Sequence, residues 1–279
     1  MLSQPATAPP AARAEPRGPL PLEPARRITF ETEEGTWLSP DLSPDGRRIV
    51  FELLGDLYVV PASGGTARAI TRGLAFDSQP VFSPDGRSVA FVSDRSGPEN
   101  VWVAAADGSR PRQVSFFEGK SVLASPAWSA DGRSIYVSRL RQDLGFNYEL
   151  WRIDAAGGTS ELVIPVRASA DQPRAAWRST LGVAPSADGR YLYYASKTGS
   201  TEPGVLPEWN IRRRDLTTGK EETLVSAPRS PRPDLVIGTM FRPMVSPDGR
   251  LLVYGSRFRG RAGLRLLDLE SGEDRWLVF

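Results

Sequence analysis

The chain has 279 residues, 40% of them apolar, and its 35 basic and 33 acidic residues leave a formal net charge of only +2. Such a chain can bury a sizeable core in one large or two small domains, and its interspersed charges argue against nucleic-acid binding. It contains no cysteine and no histidine, which excludes disulfides, thiolate metal sites and any catalytic unit that needs an imidazole.

Residues 1–24 are rich in proline and alanine and contain no continuous apolar run. They lack the apolar core of an intact secretory signal, so we interpret them as a flexible linker or the remnant of a processed N-terminus. No stretch approaches the ~20 apolar residues of a membrane-spanning helix, and no membrane insertion is expected. Residues 25–279 form the predicted folded domain.

A short predicted strand, RRITF at residues 26–30, precedes a turn that recurs along the chain. The turn is Ser-Pro-Asp-Gly or Ser-Ala-Asp-Gly, and the intervals between its serines are 40, 46, 57 and 60 residues. Those serines are Ser43, Ser83, Ser129, Ser186 and Ser246. Repeats of about this length built from short strands are typical of the blades of a β-propeller.

The second repeat shows what one copy contains. DSQPVFS, RSVAFVSD, NVWVAAA and RPRQVSF are four predicted strands separated by turns, which is the content of one blade. In its turn, Pro84 presets the backbone and Gly86 can adopt the left-handed conformation that the turn requires. The turn acids are therefore expected to be structural: Asp45, Asp85, Asp131, Asp188 and Asp248.

Second and third strands carry the apolar residues of the predicted core. The run Ile49, Val50, Phe51 in a second strand predicts a sheet that is covered on both faces. The third strands carry a bulky residue that we expect to pack between blades. These residues are Tyr58, Trp102, Trp151 and either Ile211 or Trp209.

We predict an all-β fold, a β-propeller of five four-stranded blades with an orphan N-terminal strand. The orphan strand RRITF resembles the fourth strands of the repeats and would complete a sixth blade, whose other strands would follow residue 279 in a longer chain. An open propeller of this kind has unpaired strand edges, so self-association through them is also expected.

The longer connections all fall on the face opposite the repeated turns, and we predict that this face binds a partner or ligand. Cations near it form a candidate binding rim: Arg95, Arg139, Arg141, Lys197, Arg257, Arg259 and Arg261. One interpretation is a set of strand-end ion pairs, such as Arg95 with Asp77. The other is a basic rim that attracts an anionic ligand or an acidic partner surface.

Carboxylates also lie in these connections: Asp77, Asp94, Asp143, Glu202 and Glu208. A pair at fixed separation can perform acid/base chemistry, but nothing in the spacing selects one. The sequence therefore predicts no catalytic residue, no metal site and no cofactor, and we do not expect the chain to be an enzyme.

The stretch PVFSPDGRSVAFVSDRSGPENVWVAAADGSRPRQVS resembles the repeats of TolB-type, WD-repeat-like propellers, and the resemblance extends over about residues 25–279. Residues 26–97 more closely resemble the N-terminal propeller of bacterial amidohydrolase-family proteins, where a metal-dependent hydrolase domain follows. The chain is also similar to the propellers of prolyl-oligopeptidase-type enzymes, which gate a separate serine hydrolase domain. No catalytic residue of either enzyme family can be placed on this chain.

The resemblance implies a non-catalytic binding or gating module, and we favour the propeller portion of an amidohydrolase-family protein. One alternative is a stand-alone TolB-like periplasmic interaction propeller of the Tol-Pal type. Another is the regulatory propeller half of a prolyl-oligopeptidase-type serine hydrolase. The expected partner is a protein or a downstream hydrolase domain, and a periplasmic or exported location is what the resemblance implies.

Overall fold

A computed structural model describes residues 30–36, 38–198, 209–226, 239–258 and 261–278. Contacts divide the chain into residues 1–35 and residues 36–279. In the described part of the first unit, the Thr32 hydroxyl donates a hydrogen bond to the carbonyl of Glu34 (2.8 Å). Apart from Phe30, the predicted orphan strand lies outside the described residues, as does all of the predicted linker.

The described part of the second unit contains five four-stranded antiparallel sheets, each with its strands in chain order. They are the blades of a five-bladed β-propeller, which confirms the predicted fold class. Blade 1 contains β1 (Asp41–Leu42), β2 (Arg48–Leu53), β3 (Asp56–Pro61) and β4 (Arg68–Ala69). Blade 2 contains β5 (Asp77–Phe82), β6 (Ser88–Ser93), β7 (Asn100–Ala105) and β8 (Arg112–Gln113). Blade 3 contains β9 (Ser121–Trp128), β10 (Ser134–Arg141), β11 (Asn147–Asp154) and β12 (Ser160–Ile164).

Blade 4 contains β13 (Arg178–Pro185), β14 (Tyr191–Thr198), β15 (Trp209–Asp215) and β16 (Glu221–Val225). Blade 5 contains β17 (Thr239–Val245), β18 (Leu251–Phe258), β19 (Arg261–Asp268) and β20 (Asp274–Val278). The connections that the structure describes contain two short 3₁₀ helices, Gln142–Leu144 and Arg174–Ala176. Within the described ranges, no helix has the length and apolar character needed to cross a membrane.

The core lies between successive blades. First strands of neighbouring blades pack against each other. A separate apolar cluster fills each of the four interfaces between consecutive blades, from the interface of blades 1 and 2 to that of blades 4 and 5. As predicted, second strands such as β6 and β14 are buried on both faces. In β2 this prediction is wrong for one face, because Ile49 and Phe51 are only half-buried while Val50 is fully buried. Among the described residues, an apolar cluster covers only the side of β2 that faces blade 2.

The bulky third-strand residues take the packing role expected of them. Trp102 and Trp151 lie against the clusters on either side of blade 2, and Ile211 is fully buried between blades 4 and 5. Tyr58 differs, because its ring stacks on that of Phe51 in the same blade at a centroid distance of 5.8 Å. That stack lies on the half-buried face of β2 and β3.

The side-chain amide of Gln79 joins the first strands of blades 2 and 3. The Ser125 amide donates to Gln79 Oε1 (2.8 Å), and Gln79 Nε2 donates to the Leu123 carbonyl (3.2 Å). Both Gln79 and Ser125 have left-handed backbones, with φ of +53° and +54°, at irregularities in the pairing of β5 and β9. Such conformations are uncommon in residues other than glycine. Gly182 and Arg242, in the first strands of blades 4 and 5, also have left-handed backbones.

The repeated turn is closed by its own side chains. In blade 2, the Ser83 hydroxyl donates to Asp85 Oδ1 (2.6 Å), and the same oxygen accepts from the Arg87 amide (3.1 Å). The Ser88 amide donates back to Ser83 Oγ (2.9 Å), and Gly86 has the predicted left-handed φ of +68°. Equivalent serine-to-aspartate bonds close the other four turns, so the expected structural role of these acids is confirmed.

Removing the carboxylate of one turn should weaken the fold in a pH-dependent way. The hydroxyl of Ser83, and then the Arg87 amide, hold the pKa of Asp85 below its ordinary value of 3.8. Its stabilising effect is therefore complete above that ordinary value and is lost as the pH falls through the lowered pKa. We expect Asp85→Ala to lower Tm by about 2–4 °C at neutral pH.

Thermal unfolding followed by circular dichroism at a series of pH values tests this expectation. The difference between wild type and Asp85→Ala should shrink once Asp85 is protonated. Asp85→Asn is the matched control, because its amide oxygen can still accept both hydrogen bonds at every pH. A difference that grows as the pH falls would contradict the proposed role of the carboxylate.

Candidate partner-binding face

The connections sort into two faces. The repeated turns lie at one end of the blades, which we call the tight-turn face; the second-to-third-strand connections and the links between blades lie at the other, the long-loop face. The predicted insertions RQDLGFN and VRASADQPRAAWR belong to the long-loop face and include the two 3₁₀ helices. The insertions TGSTEPGVLPE and APRSPRPDLVIG lie outside the described residues, apart from Thr198.

Arg95 is held by the scaffold. Its guanidinium forms the expected ion pair with Asp77, which is only 1% exposed, and its Nε donates to Ser93 Oγ (3.0 Å). Its guanidinium carbon lies 5.4 Å from the centre of the Phe91 ring and 5.2 Å from that of Trp102. With its charge paired and two aromatic rings beside its guanidinium, Arg95 fits the ion-pair interpretation of the rim.

Arg139 is held by aromatic rings. Its guanidinium carbon lies 4.3 Å from the centre of the Phe117 ring and 5.7 Å from that of Trp151, within the range of cation–π attraction. Its Nη2 donates to the Glu118 carbonyl (3.3 Å), while its buried Nε has no hydrogen-bond partner. Burial, followed by repulsion from Arg141, lowers the pKa of Arg139.

Arg141 lies two residues further along and is paired. Its Nε and Nη2 donate to the two carboxylate oxygens of Asp143 at 3.0 and 2.5 Å, and the hydrogen bond to Asp143 raises the pKa of Arg141. Arg139 and Arg141 line one open cleft of about 500 Å³. Its other lining residues are Phe116, Phe117, Glu118, Gly119, Lys120 and Asp143.

The remaining predicted rim cations lie in blades 4 and 5. Lys197 is 4% exposed, its ammonium lies 5.6 Å from the centre of the Trp209 ring, and burial lowers its pKa. Arg257 is exposed near the end of β18, and Arg261 begins β19. Arg259 lies outside the described residues. Of the predicted rim, the structure thus brings Arg139 and Arg141 into one cleft, and a shared ligand-binding role for the set stays a prediction.

Three of the carboxylates predicted for this face make scaffold contacts. Asp77 pairs with Arg95, Asp143 pairs with Arg141, and Asp94 Oδ1 accepts from the Phe76 amide (2.8 Å). Glu202 and Glu208 lie outside the described residues. In the described part of the chain, no group of three or more acidic residues is placed to hold a metal ion.

A larger cavity, about 770 Å³, lies on the tight-turn face between blades 2 and 3. Its polar side chains already join the two blades. Trp128 Nε1 donates to the Val81 carbonyl (3.1 Å), and Arg112 Nη2 donates to the Ala155 carbonyl (2.6 Å). We therefore regard this cavity as the groove left by blade packing, and the long-loop face as the candidate site.

The predicted set of site residues omitted the aromatic part of the cleft. Phe116 is 62% exposed, whereas its neighbour Phe117 is 7% exposed and covers Arg139. The local signal was SFFEGK, two aromatic residues in a polar link between strands. An aromatic pair in such a link predicts at least one exposed ring, because a short connection can turn only one of two adjacent side chains into the core.

Comparison with known families decides the relationship. The profile of the Tricorn protease N-terminal beta propeller domain matches residues 37–202, more than half of the chain. The chain belongs to this propeller family. As a Tricorn-type propeller it also matches the Tol-Pal system protein TolB of Wolinella succinogenes, with 30% identity over 108 residues. That alignment covers 37% of this chain and 25% of the relative, so the match spans a quarter of TolB's length.

Solved structures share the fold of this Tricorn-type propeller. A structure assigned to TolB from Agrobacterium tumefaciens superposes with a TM-score of 0.65 at 20% identity, over 90% of this chain and 83% of that one. A puromycin-hydrolyzing peptidase from Mycobacterium tuberculosis gives 0.55 at 19% identity, over 86% of this chain and 36% of the peptidase. The resemblance to TolB-type propellers noted in the sequence is confirmed.

Proposed function

We propose that this propeller is a protein-binding module with no reaction chemistry of its own and that the long-loop face holds its partner. The observation that carries the proposal is that three of the predicted long-loop carboxylates, Asp77, Asp94 and Asp143, are engaged in scaffold contacts. A carboxylate held by a guanidinium in this way is poorly suited to act as a general base. The same face leaves apolar and cationic side chains accessible.

The relatives support the TolB-like alternative better than the amidohydrolase-linked interpretation. The curated relative is named a Tol-Pal system protein, and the propeller family covers more than half of this chain. We therefore propose a partner of the Tol-Pal kind and a periplasmic or exported location. Attachment to an amidohydrolase or to a prolyl-oligopeptidase-type domain stays a prediction.

Binding of this chain to purified Tol-Pal proteins, measured by biolayer interferometry at several salt concentrations, tests the proposal. We expect Arg257→Glu, an exposed change on the long-loop face, to weaken binding about threefold to tenfold and to reduce its salt dependence. Arg133→Glu is the matched control, since Arg133 is exposed in a repeated turn on the opposite face.

The same preparation should leave chromogenic ester and amide substrates unchanged relative to buffer. Hydrolysis that co-purifies with the chain would contradict the absence of chemistry. If Arg133→Glu abolished binding and Arg257→Glu left it intact, the partner would bind the tight-turn face, and the proposed binding face would be wrong.

A further inference from the structure

Five bulky apolar side chains of the long-loop face are exposed in blades 1 to 3. The exposed fractions are 78% for Leu54, 69% for Leu74, 58% for Phe76 and 62% for both Phe116 and Phe146. We call this set the apolar arc. Burial of such side chains is favourable, so five of them left in solvent on one face indicate an interaction surface.

The backbone holds two of these side chains outward. Leu54 and Phe146 occupy equivalent places, the connections between the second and third strands of blades 1 and 3, and their φ angles are +55° and +59°. Left-handed backbone is a genuine outlier for bulky residues and is concentrated at functional sites. Neither side chain is buried in return. The strain is therefore not offset by core packing of the residue that bears it.

The arc is fixed to its neighbours on the scaffold. The Phe76 ring lies beside the turn that carries Leu54, since a β-carbon placed on Gly55 would lie 3.2 Å from Phe76 Cδ2. The Phe76 amide donates to Asp94 Oδ1 (2.8 Å), which ties this link to the loop after β6. Phe76 is thus exposed on a fixed backbone rather than on a free loop.

Similar contacts fix the link that carries Phe116. Asn100 Oδ1 accepts from the amide of the adjacent Phe117 (2.7 Å), and Asn100 is 1% exposed. Arg139 then joins this link to blade 3 through the Glu118 carbonyl (3.3 Å). The Phe116 ring therefore borders the cleft that contains Arg139.

Among the described residues of the cleft beside the arc, two cations, Arg139 and Lys120, and one carboxylate, Glu118, form no ion pair. Across the part of the chain that the structure describes, neither Arg139 nor Lys120 has a carboxylate within ion-pair distance, whereas Arg141 is paired with Asp143. Two unpaired cations beside exposed aromatic rings complement a carboxylate that stands next to apolar side chains. A protein segment fits better than an anionic membrane, because a single carboxylate can lie against the two cations alone, whereas a continuous anionic surface would also lie against Glu118.

We propose that the apolar arc, with the cleft of Arg139 and Lys120, binds a protein segment in which an acidic side chain is flanked by bulky apolar side chains. The inference rests on the proposed function and names the chemistry of its partner. The apolar side chains would cover the arc, and the carboxylate would lie against the cations of the cleft.

Fluorescence anisotropy with labelled peptides tests the inference on the full chain. The probe is a fluorescein-labelled peptide of alternating glutamate and phenylalanine, compared with one peptide carrying lysine for glutamate and another carrying serine for phenylalanine. We expect the first peptide to bind at least about tenfold more tightly than either of the others.

Variants of exposed residues should assign this binding to the arc without disturbing the fold. Phe146→Asn removes the ring and places at a left-handed position a residue that tolerates it, and Phe116→Ser removes the second ring. Each should weaken binding about tenfold, and Lys120→Glu should weaken it and reduce its salt dependence. Leu277→Ser is the control, an equally polar change at a half-exposed leucine of β20.

Three results would overturn the inference. They are equal loss of binding in Leu277→Ser, unchanged binding in Phe116→Ser and Phe146→Asn, and arc-dependent binding to phosphatidylglycerol vesicles in preference to the peptide. The two proposals fail separately. Peptide binding without Tol-Pal binding contradicts the proposed partner, and Tol-Pal binding that Phe116→Ser and Phe146→Asn leave intact contradicts the role of the arc.

Discussion

Gly108→Ala should lower the free energy of unfolding by at least about 4 kcal/mol, whereas Gly64→Ala should lower it by about 1 kcal/mol. The two glycines occupy equivalent turns between the third and fourth strands, with φ of +88° and +91°. A β-carbon on Gly108 would lie 1.8 Å from the carbonyl oxygen of Ile70 in blade 1, while one on Gly64 would meet nothing within 4 Å. Backbone strain is common to both, so the difference reports the contact between blades.

Urea unfolding followed by tryptophan fluorescence measures the effect. Gly157→Ala belongs to the same series, because this glycine has φ of +93° and its β-carbon would lie 3.6 Å from the nearest atom, the Gln113 carbonyl oxygen. It should resemble Gly64→Ala, and it keeps the comparison available if Gly108→Ala does not fold. Equal losses for Gly108→Ala and Gly64→Ala would show that blade 2 can move away from Ile70 at little cost.

Arg95→Leu should cost about 3–5 kcal/mol, because it leaves the carboxylate of Asp77 buried and unpaired. Asp77 is 1% exposed, its Oδ1 has no hydrogen-bond partner, and Arg95 supplies the ion pair to its Oδ2. A second carboxylate lies close by: burial, and after it the charge of Asp77, raise the pKa of Asp56. Removing Arg95 takes away the ion-pair partner of Asp77 and one of the two cations, with Arg72, that offset Asp56.

The double variant Asp77→Asn with Arg95→Leu separates the charge from the packing. It should recover at least about 2 kcal/mol of the loss, since a neutral amide replaces the unpaired carboxylate. If the stability losses of Asp77→Asn and Arg95→Leu simply added in the double variant, the ion pair would not be essential to the fold.

The blade count and most strand positions could be predicted from the sequence because the repeated turn is closed by local contacts. The hydrogen bonds of the turn link Ser83, Asp85 and Gly86 within six residues of the chain. The motif therefore marks the same corner wherever it occurs. The pairing of Arg95 with Asp77 was also accessible, since β5 begins opposite the end of β6, where Asp77 pairs with Ser93.

Three features could not be predicted from the sequence, and the first two of them depend on the arrangement of blades. Half-burial of Ile49 and Phe51 follows from which face of β2 has a neighbour, and the residues alone are as apolar as those of β6. The environment of Arg139 combines Phe117 from the link after blade 2 with Trp151 from blade 3. The left-handed backbones of Leu54 and Phe146 run against the preference of their own residue types.

The closed turn also bears on how such a protein can change. In each blade, the register of the first and second strands is set at the tight-turn end by the serine and aspartate contacts, as in Ser83 with Asp85. Segments added at the other end therefore leave that register unaltered, and the entropy of closing a longer loop rises only slowly with its length. The intervals between repeats grow from 40 to 60 residues while the turn is retained. A lineage of such propellers can thus acquire new specificities by lengthening one set of connections, while the framework that carries them is inherited intact.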